Sequence, residues 1–199
     1  NQIFEPAQKK IKEKLTKKFH LENKLVLSYM GRIQKYKGLD QVVQCLPDLN
    51  KIKETVFVAI GENAEDKKRL LTLAKSLGVE KNIVFPGRVS EEEKNALLEI
   101  SEIFVFPSEQ EAFGIAMLEA MAKANAVIST KTEGGRYLIK KENGFVYNFQ
   151  DVDDLKKKLL KLSQNKNLMN KMQKNNSIKA KNFTWKKVND ELIKLYNSI

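Results

Sequence analysis

Six short apolar runs punctuate the chain between Lys24 and Asn148: "KLVLSYMG", "TVFVAIG", "NIVFPG", "IFVFPS", "AVIST" and "GFVYN". Amphipathic stretches such as "LDQVVQCLPDL", "DKKRLLTLAKSLG" and "EEEKNALLEI" lie between them. Runs that are apolar throughout, rather than at every second residue, mark strands covered on both faces, and their alternation with helices supplies the crossovers that parallel neighbours need. The expected fold is α/β: a Rossmann-like, three-layer parallel sheet with helices on both faces. Ser90, with Glu93 three residues on, has the pattern of a capping box and fixes the start of one helix. Beyond Asp151, the helical spacing of Val152, Leu155, Leu159 and Leu162 predicts one long basic helix. "FTWKKVNDELIKLY" predicts a closing helix with Trp185 as its packing anchor. The organisation expected is a single domain, with a linker and first helix over residues 1–23, an α/β core over 24–150 and C-terminal helices over 151–199.

With 199 residues, 42% of them apolar, the chain can bury a core of that kind. No run approaches a membrane span, and the opening "NQIFEPAQKK" lacks the apolar stretch and cleavage site of a signal peptide. It also lacks an initiator Met, so a fragment of a longer protein is expected. Cys45 is the only cysteine, which suits a buried small hydrophobe and a reducing cytoplasm. The net charge of +11 is unevenly placed: residues 1–24 hold seven Lys against three Glu, residues 150–199 hold twelve Lys against five acids, and the middle is neutral. Such basic ends read as solvated Lys-rich faces or as surfaces drawn to an anionic membrane or acceptor. Nucleic acid is not expected, because no Gly/aromatic binding motif interleaves with the lysines.

Ligands of an open parallel sheet bind at the carboxyl ends of the strands, where loops lead into helix N-termini. In "GRIQKYKG", Gly31 ends a strand, Arg32 and Lys37 sit in the loop, and Gly38 precedes a helix. Two cations converging on a helix N-terminus suit a diphosphate through charge-assisted hydrogen bonds. In "SEQEAFGIAMLEAMA" a helix is expected to begin near Phe113, so Glu111 stands before it and Glu119 about two turns in. Their separation of at most roughly 12 Å could bracket a pyrophosphate held over the N–H groups of Phe113, Gly114 and Ile115, with the carboxylates accepting from hydroxyls at either end.

These stretches together resemble the retaining family 4 glycosyltransferases, whose GT-B fold sets two Rossmann-like domains across a cleft. "EAFGIAMLE" resembles their E-x7-E signature and "GRIQKYKG" their phosphate-binding loop. "NIVFPGRVSEEE" resembles the nucleobase-side segment, "EGGRYLIKKENGFVY" the Gly-Gly loop with its following strand, and "FTWKKVNDELIKLY" the closing helix. Phe4 to Pro6 resembles the linker into the C-terminal domain. The resemblance implies that the chain is one half of a GT-B fold, the donor-binding half, and that an N-terminal acceptor domain lies outside it.

By the same resemblance, Gly31, Arg32 and Lys37 hold the donor diphosphate, Glu119 accepts from the ribose hydroxyls, and Glu111 contacts the transferred sugar. Backbone N–H groups of Phe113, Gly114 and Ile115 fix sugar and phosphate, and Arg88 and Val89 lie near the base. Arg32, Lys37 and Glu111 carry the catalytic roles. No cofactor and no metal are implied; the substrate is a nucleoside diphosphate sugar, UDP- or GDP-linked, and the acceptor a glycan or lipid-linked sugar. A cytoplasmic location follows, with peripheral contact at the inner membrane surface through the basic ends. The chain departs from the family in having Ala124 and Ala126-Val127 where Gly and Pro-Val are usual, substitutions expected to have little chemical effect. Leu138 stands where a Glu often follows the two glycines, with Glu133 as a substitute carboxylate. Two rival functions remain open, a GT-B sugar-nucleotide epimerase and a non-catalytic basic module that docks on membrane or polymer.

Overall fold

A computed structural model describes residues 2–62 and 64–196. Its centre is a six-stranded sheet made of β1 (Leu25–Met30), β2 (Thr55–Ile60), β3 (Ile83–Gly87), β4 (Ile103–Phe106), β5 (Ala126–Thr130) and β6 (Gly144–Tyr147). All neighbours are parallel, in the order β3-β2-β1-β4-β5-β6. These are the six apolar runs of the sequence. β1 pairs with β2 in continuous register from Leu25 opposite Thr55 to Met30 opposite Ile60.

Helices α1 (Lys9–Lys18), α2 (Leu39–Asn50), α3 (Ala64–Ser76) and α4 (Glu91–Ile100) belong with the first half of the sheet. Side chains from successive strand positions enter two separate cores. Leu27, Tyr29, Phe57 and Ala59 pack with Leu39, Val42, Val43 and Leu46 of α2, whereas Val26, Val56, Val58 and Ile60 pack with Leu15 of α1 and with Ala96 and Leu97 of α4. Covering both faces is what makes the strands apolar at consecutive positions. The capping box of α4 is formed: the Ser90 hydroxyl accepts from the Glu93 N–H at 3.2 Å, and the Glu93 carboxylate accepts from the Ser90 N–H at 3.2 Å.

The second half carries α5 (Ile115–Ala122), α6 (Glu133–Leu138), α7 (Val152–Gln164), α8 (Lys166–Ala180) and α9 (Trp185–Tyr196). The single long basic helix expected after Asp151 is thus two helices. They break at Asn165, which leaves helical geometry at φ −124° and ψ 83° and caps α8 by accepting from the Leu168 N–H at 2.9 Å. An Asn side chain that satisfies a free N–H at a helix start competes with continuing the preceding helix. Glu133–Leu138, expected as a Gly-Gly loop, is a short helix capped by the Thr132 hydroxyl, which accepts from the Gly135 N–H at 3.1 Å. Leu138 is buried in the core, while Glu133 is exposed in the first turn of α6. The closing helix is present, and the Trp185 side chain lies outside the described residues.

Past the end of α5, Ala124 adopts φ +57°. The Asn125 N–H bonds to Ala120 O at 3.0 Å and the Ala124 N–H to Met121 O at 3.0 Å, the pair of contacts that closes a Schellman motif. At the sheet edges, β3 carries Pro86 and pairs irregularly near Ile60. On the opposite edge, Lys161 lies 5.5 Å from the Phe145 ring of β6, and Lys140 and Lys141 flank that strand.

Candidate functional site

The chain leaves β1 outward to β2 and β3, then crosses back to β4 on the other side of β1. The carboxyl ends of β1 and β4 are therefore neighbours at the point where the strand order reverses, the usual ligand position in sheets of this kind. The loops that follow them, residues 31–38 and 107–114, meet there.

Several contacts fix how they meet. The buried Tyr29 hydroxyl donates to Arg32 O at 2.9 Å and so pins the first loop from below. Burial, with the nearby Tyr36 and Glu111 adding to it, pushes the Tyr29 pKa far above its ordinary value, so the phenol remains a donor. A short 3-10 turn over Lys35–Lys37 ends at Gly38, in the left-handed region at φ +65°. A Cβ at Gly38 would lie 2.3 Å from Pro107 O, a backbone atom that cannot swing aside, so the close approach of the two loops needs glycine there. The Glu109 N–H donates to Tyr36 O at 2.8 Å across the same seam. Gln41, buried in the first turn of α2, holds a third loop as well. Its amide donates to Gly38 O and Pro107 O, both at 3.3 Å, and its carbonyl accepts from the Tyr147 hydroxyl at 3.2 Å and the Gln150 N–H at 2.9 Å.

Between the loops lies a cleft of ≈ 380 Å³ lined by Gly31, Arg32, Lys37, Glu111, Phe113, Gly114, Ile115 and Ala116, among others. Lys37 Nζ stands 3.4 Å from Glu111 Oε2 and 5.5 Å from the centre of the Phe106 ring. Arg32 is exposed at the rim. Helix α5 starts at Ile115, two residues later than the sequence suggests, because Gly114 takes a left-handed conformation at φ +89° and serves as its N-cap. Ile115 and Ala116, at the helix start where N–H groups lack acceptors within the helix, thus belong to the wall of the cleft, while the Met117 N–H is turned back to Gly114 O at 2.9 Å. Gly134 of α6 closes the back of this loop: its N–H donates to Glu111 O at 3.0 Å, and a Cβ there would lie 2.3 Å from Phe113 O.

Glu119 stands one turn into α5 instead of two and points to another partner. Lys94 Nζ on α4 is 2.6 Å from Glu119 Oε1 and 2.6 Å from Glu91 Oε2. Burial pulls the Lys94 pKa down, but the hydrogen bonds to Glu119 and Glu91 outweigh it and raise the pKa, so the ammonium stays charged. Arg88 is exposed and Val89 half-buried against the α1/α4 core, in the loop from β3 into α4. The structure therefore gathers Gly31, Arg32, Lys37, Glu111, Phe113, Gly114 and Ile115 at one cleft. Glu119 lies further along α5, beside the helix that Arg88 and Val89 introduce. Sequence reasoning missed Tyr29, Gln41 and Lys94. For Lys94 the local signal was Glu91 three residues earlier, which reads equally as a solvated pair. Among the described residues no three of His, Cys, Asp and Glu gather into a group that could hold a metal ion, and no helix is long and apolar enough to cross a membrane.

A Rossmann-like parallel sheet with a cation-bearing cleft at its switch point belongs to the open α/β class, and its superposition on solved glycosyltransferases makes it one half of a GT-B fold. The family model for glycosyl transferases group 1 matches residues 10–179, and the chain belongs to that family. It is 31% identical over 196 residues to an uncharacterised glycosyltransferase of Methanocaldococcus jannaschii, across 96% of this chain and 48% of that relative. The chain spans about half the length of the curated relatives it matches. The C-terminal domain of LpcC, a glycosyl transferase group 1 family protein from Francisella tularensis, superposes with a TM-score of 0.79 at 28% identity, over 92% of this chain and 96% of that one. Anabaena Alr3699/HepE, solved in complex with UDP, superposes with a TM-score of 0.88 over 100% of this chain and 55% of that one; at 18% identity this is a likeness of fold.

Proposed function

We propose that the chain is the donor-binding half of a retaining, metal-independent glycosyltransferase that moves a sugar from a nucleoside diphosphate to an acceptor hydroxyl of a glycan or lipid-linked sugar. The observation that carries this reading is the meeting of Arg32, Lys37, Glu111 and the first turn of α5 around one cleft. The UDP complex of the Anabaena protein supports a nucleoside diphosphate as the ligand and puts UDP first among those to try. In this reading the diphosphate sits against Arg32, Lys37 and the N–H groups at the start of α5. Lys37 exchanges part of its contact with Glu111 for phosphate oxygens. Glu111, released toward the sugar, accepts from its hydroxyls and orients the anomeric carbon so that attack comes from the face the diphosphate leaves. As the glycosidic bond breaks, charge grows on the departing diphosphate. Two cations and a helix N-terminus are placed to stabilise it, the task a divalent ion performs in other transferases. The acceptor would be presented by a second domain. The basic ends of the chain would add peripheral attraction to an anionic membrane.

Calorimetric titration with UDP, GDP and ADP at low salt, with and without magnesium, tests the reading. Binding without magnesium is expected, and Arg32→Ala or Lys37→Ala should weaken it about tenfold or more, the worth of one charge-assisted hydrogen bond. Unchanged affinity in both variants would remove the phosphate-loop assignment.

A further inference from the structure

We propose that Lys94 is a positioning residue for nucleotide recognition: its ammonium holds Oε1 of Glu119 and leaves Oε2 as the acceptor for a ribose hydroxyl pair. The inference rests on the donor-site reading, extended by the expectation that Glu119 accepts from the ribose hydroxyls.

Lys94 is not placed where a helix favours it. It follows Glu91, Glu92 and Glu93 at the N-terminal end of α4, where the helix dipole repels a cation. Its side chain nevertheless runs inward, 13% exposed, against Glu119 at 26% and Glu91 at 79%. The sheltered partner is therefore Glu119, with Glu91 steadying the ammonium from the solvent side. The two helices are also joined at their C-terminal ends. Glu99 near the end of α4 is already bonded at 2.9 Å to Lys123, the C-cap of α5, whose side chain is 2% exposed. What the Lys94 contact adds is direction and charge. A free glutamate samples several rotamers and must be ordered to accept from two neighbouring hydroxyls, whereas a carboxylate tethered through one oxygen presents the other in a fixed direction. A bare carboxylate would also repel an arriving diphosphate, and the ammonium neutralises it.

The test compares one nucleoside diphosphate with its 2′-deoxy counterpart, UDP against 2′-deoxy-UDP, by calorimetry on the same protein samples. The ratio of the two affinities is its own control, since partial misfolding lowers both alike. The unsubstituted protein should favour the ribonucleotide about tenfold. Lys94→Met should bring the ratio to about one or two, and Lys94→Arg should restore most of it. In a Glu119→Gln background, Lys94→Met should leave the ratio where Glu119→Gln has put it. A ratio untouched by Lys94→Met, or a further loss in the Glu119→Gln background, would overturn the positioning role while leaving the donor site in place. A ratio near one in the unsubstituted protein would overturn it by removing Glu119 from ribose recognition, and failure of every nucleoside diphosphate to bind would overturn the donor-site reading itself.

Discussion

Ala124 sits just past α5 at φ +57°, the position where a helix that ends in a Schellman motif favours glycine, so Ala124→Gly should raise stability although it removes a methyl group. A side chain with a Cβ in the left-handed region costs about 1–2 kcal/mol. Against that relief stand about 0.4–1 kcal/mol for the greater freedom of glycine in the unfolded chain and a few tenths for part of a half-buried methyl. The net expectation is about 0.5 kcal/mol of stabilisation. With an unfolding entropy of about 2.1 cal/mol/K per residue, the melting temperature should rise by about 1–2 °C. Urea titration should show a higher midpoint with an unchanged slope. Ala122→Gly, two residues earlier in the last turn of α5, is the matched control. Its backbone is helical, and the same change there should cost about 1 kcal/mol. Opposite signs for the two substitutions are the signature of the backbone argument. Destabilisation by both would refute it and show that the Ala124 methyl matters more than its conformation.

Gln41→Leu should destabilise by about 2–3 kcal/mol or more, because it leaves the Tyr147 hydroxyl, the Gln150 N–H and the Pro107 carbonyl without their shared side-chain partner; a urea midpoint within error of the unsubstituted protein would contradict the bonding described for it. Burial alone would raise the Glu99 pKa, but the Ala7 N–H and the ammoniums of Lys123 and Lys12 outweigh it and hold the carboxyl below its ordinary value. A depressed carboxyl stabilises the fold above its unfolded pKa, about 4.5, and that contribution is lost as pH falls through the folded value. Glu99→Gln should therefore melt lower than the unsubstituted protein at pH 6, with the gap narrowing toward pH 3; a gap that widens on acidification would reverse the assignment.

The strands were legible because burial of both sheet faces leaves a composition that needs no partner to recognise. The meeting of Arg32, Lys37 and Glu111 at one cleft was legible for a related reason: charges next to or within three residues of Gly, in short connections between apolar runs, stand out along the chain. Each misread element has its own cause. Asn165 interrupts a helix inside a Lys-rich stretch whose composition does not change across it, two glycines concealed α6, and the left-handed Gly114 moved the start of α5. Lys94 and Gln41 were invisible because their partners lie far along the chain, Glu119 at 25 positions, Pro107 at 66 and Gln150 at 109. A residue whose meaning depends on such contacts reads locally as an ordinary surface charge or amide.

The two open edges of the sheet bear on how the protein behaves in concentrated solution. An exposed edge strand is a template onto which another chain can add, and parallel sheets assemble slowly enough to show their edges while folding. Pro86 removes a donor from β3, and its irregular pairing with β2 spoils the regular row of groups an incoming strand would need. β6 has no proline, but Arg136, Lys140, Lys141 and Lys161 outnumber Glu142 around it, so two copies approaching edge to edge meet a net positive charge and repel one another. That defence is electrostatic on one side and covalent on the other, and only the first weakens as salt is added. Self-association at high ionic strength should begin at β6.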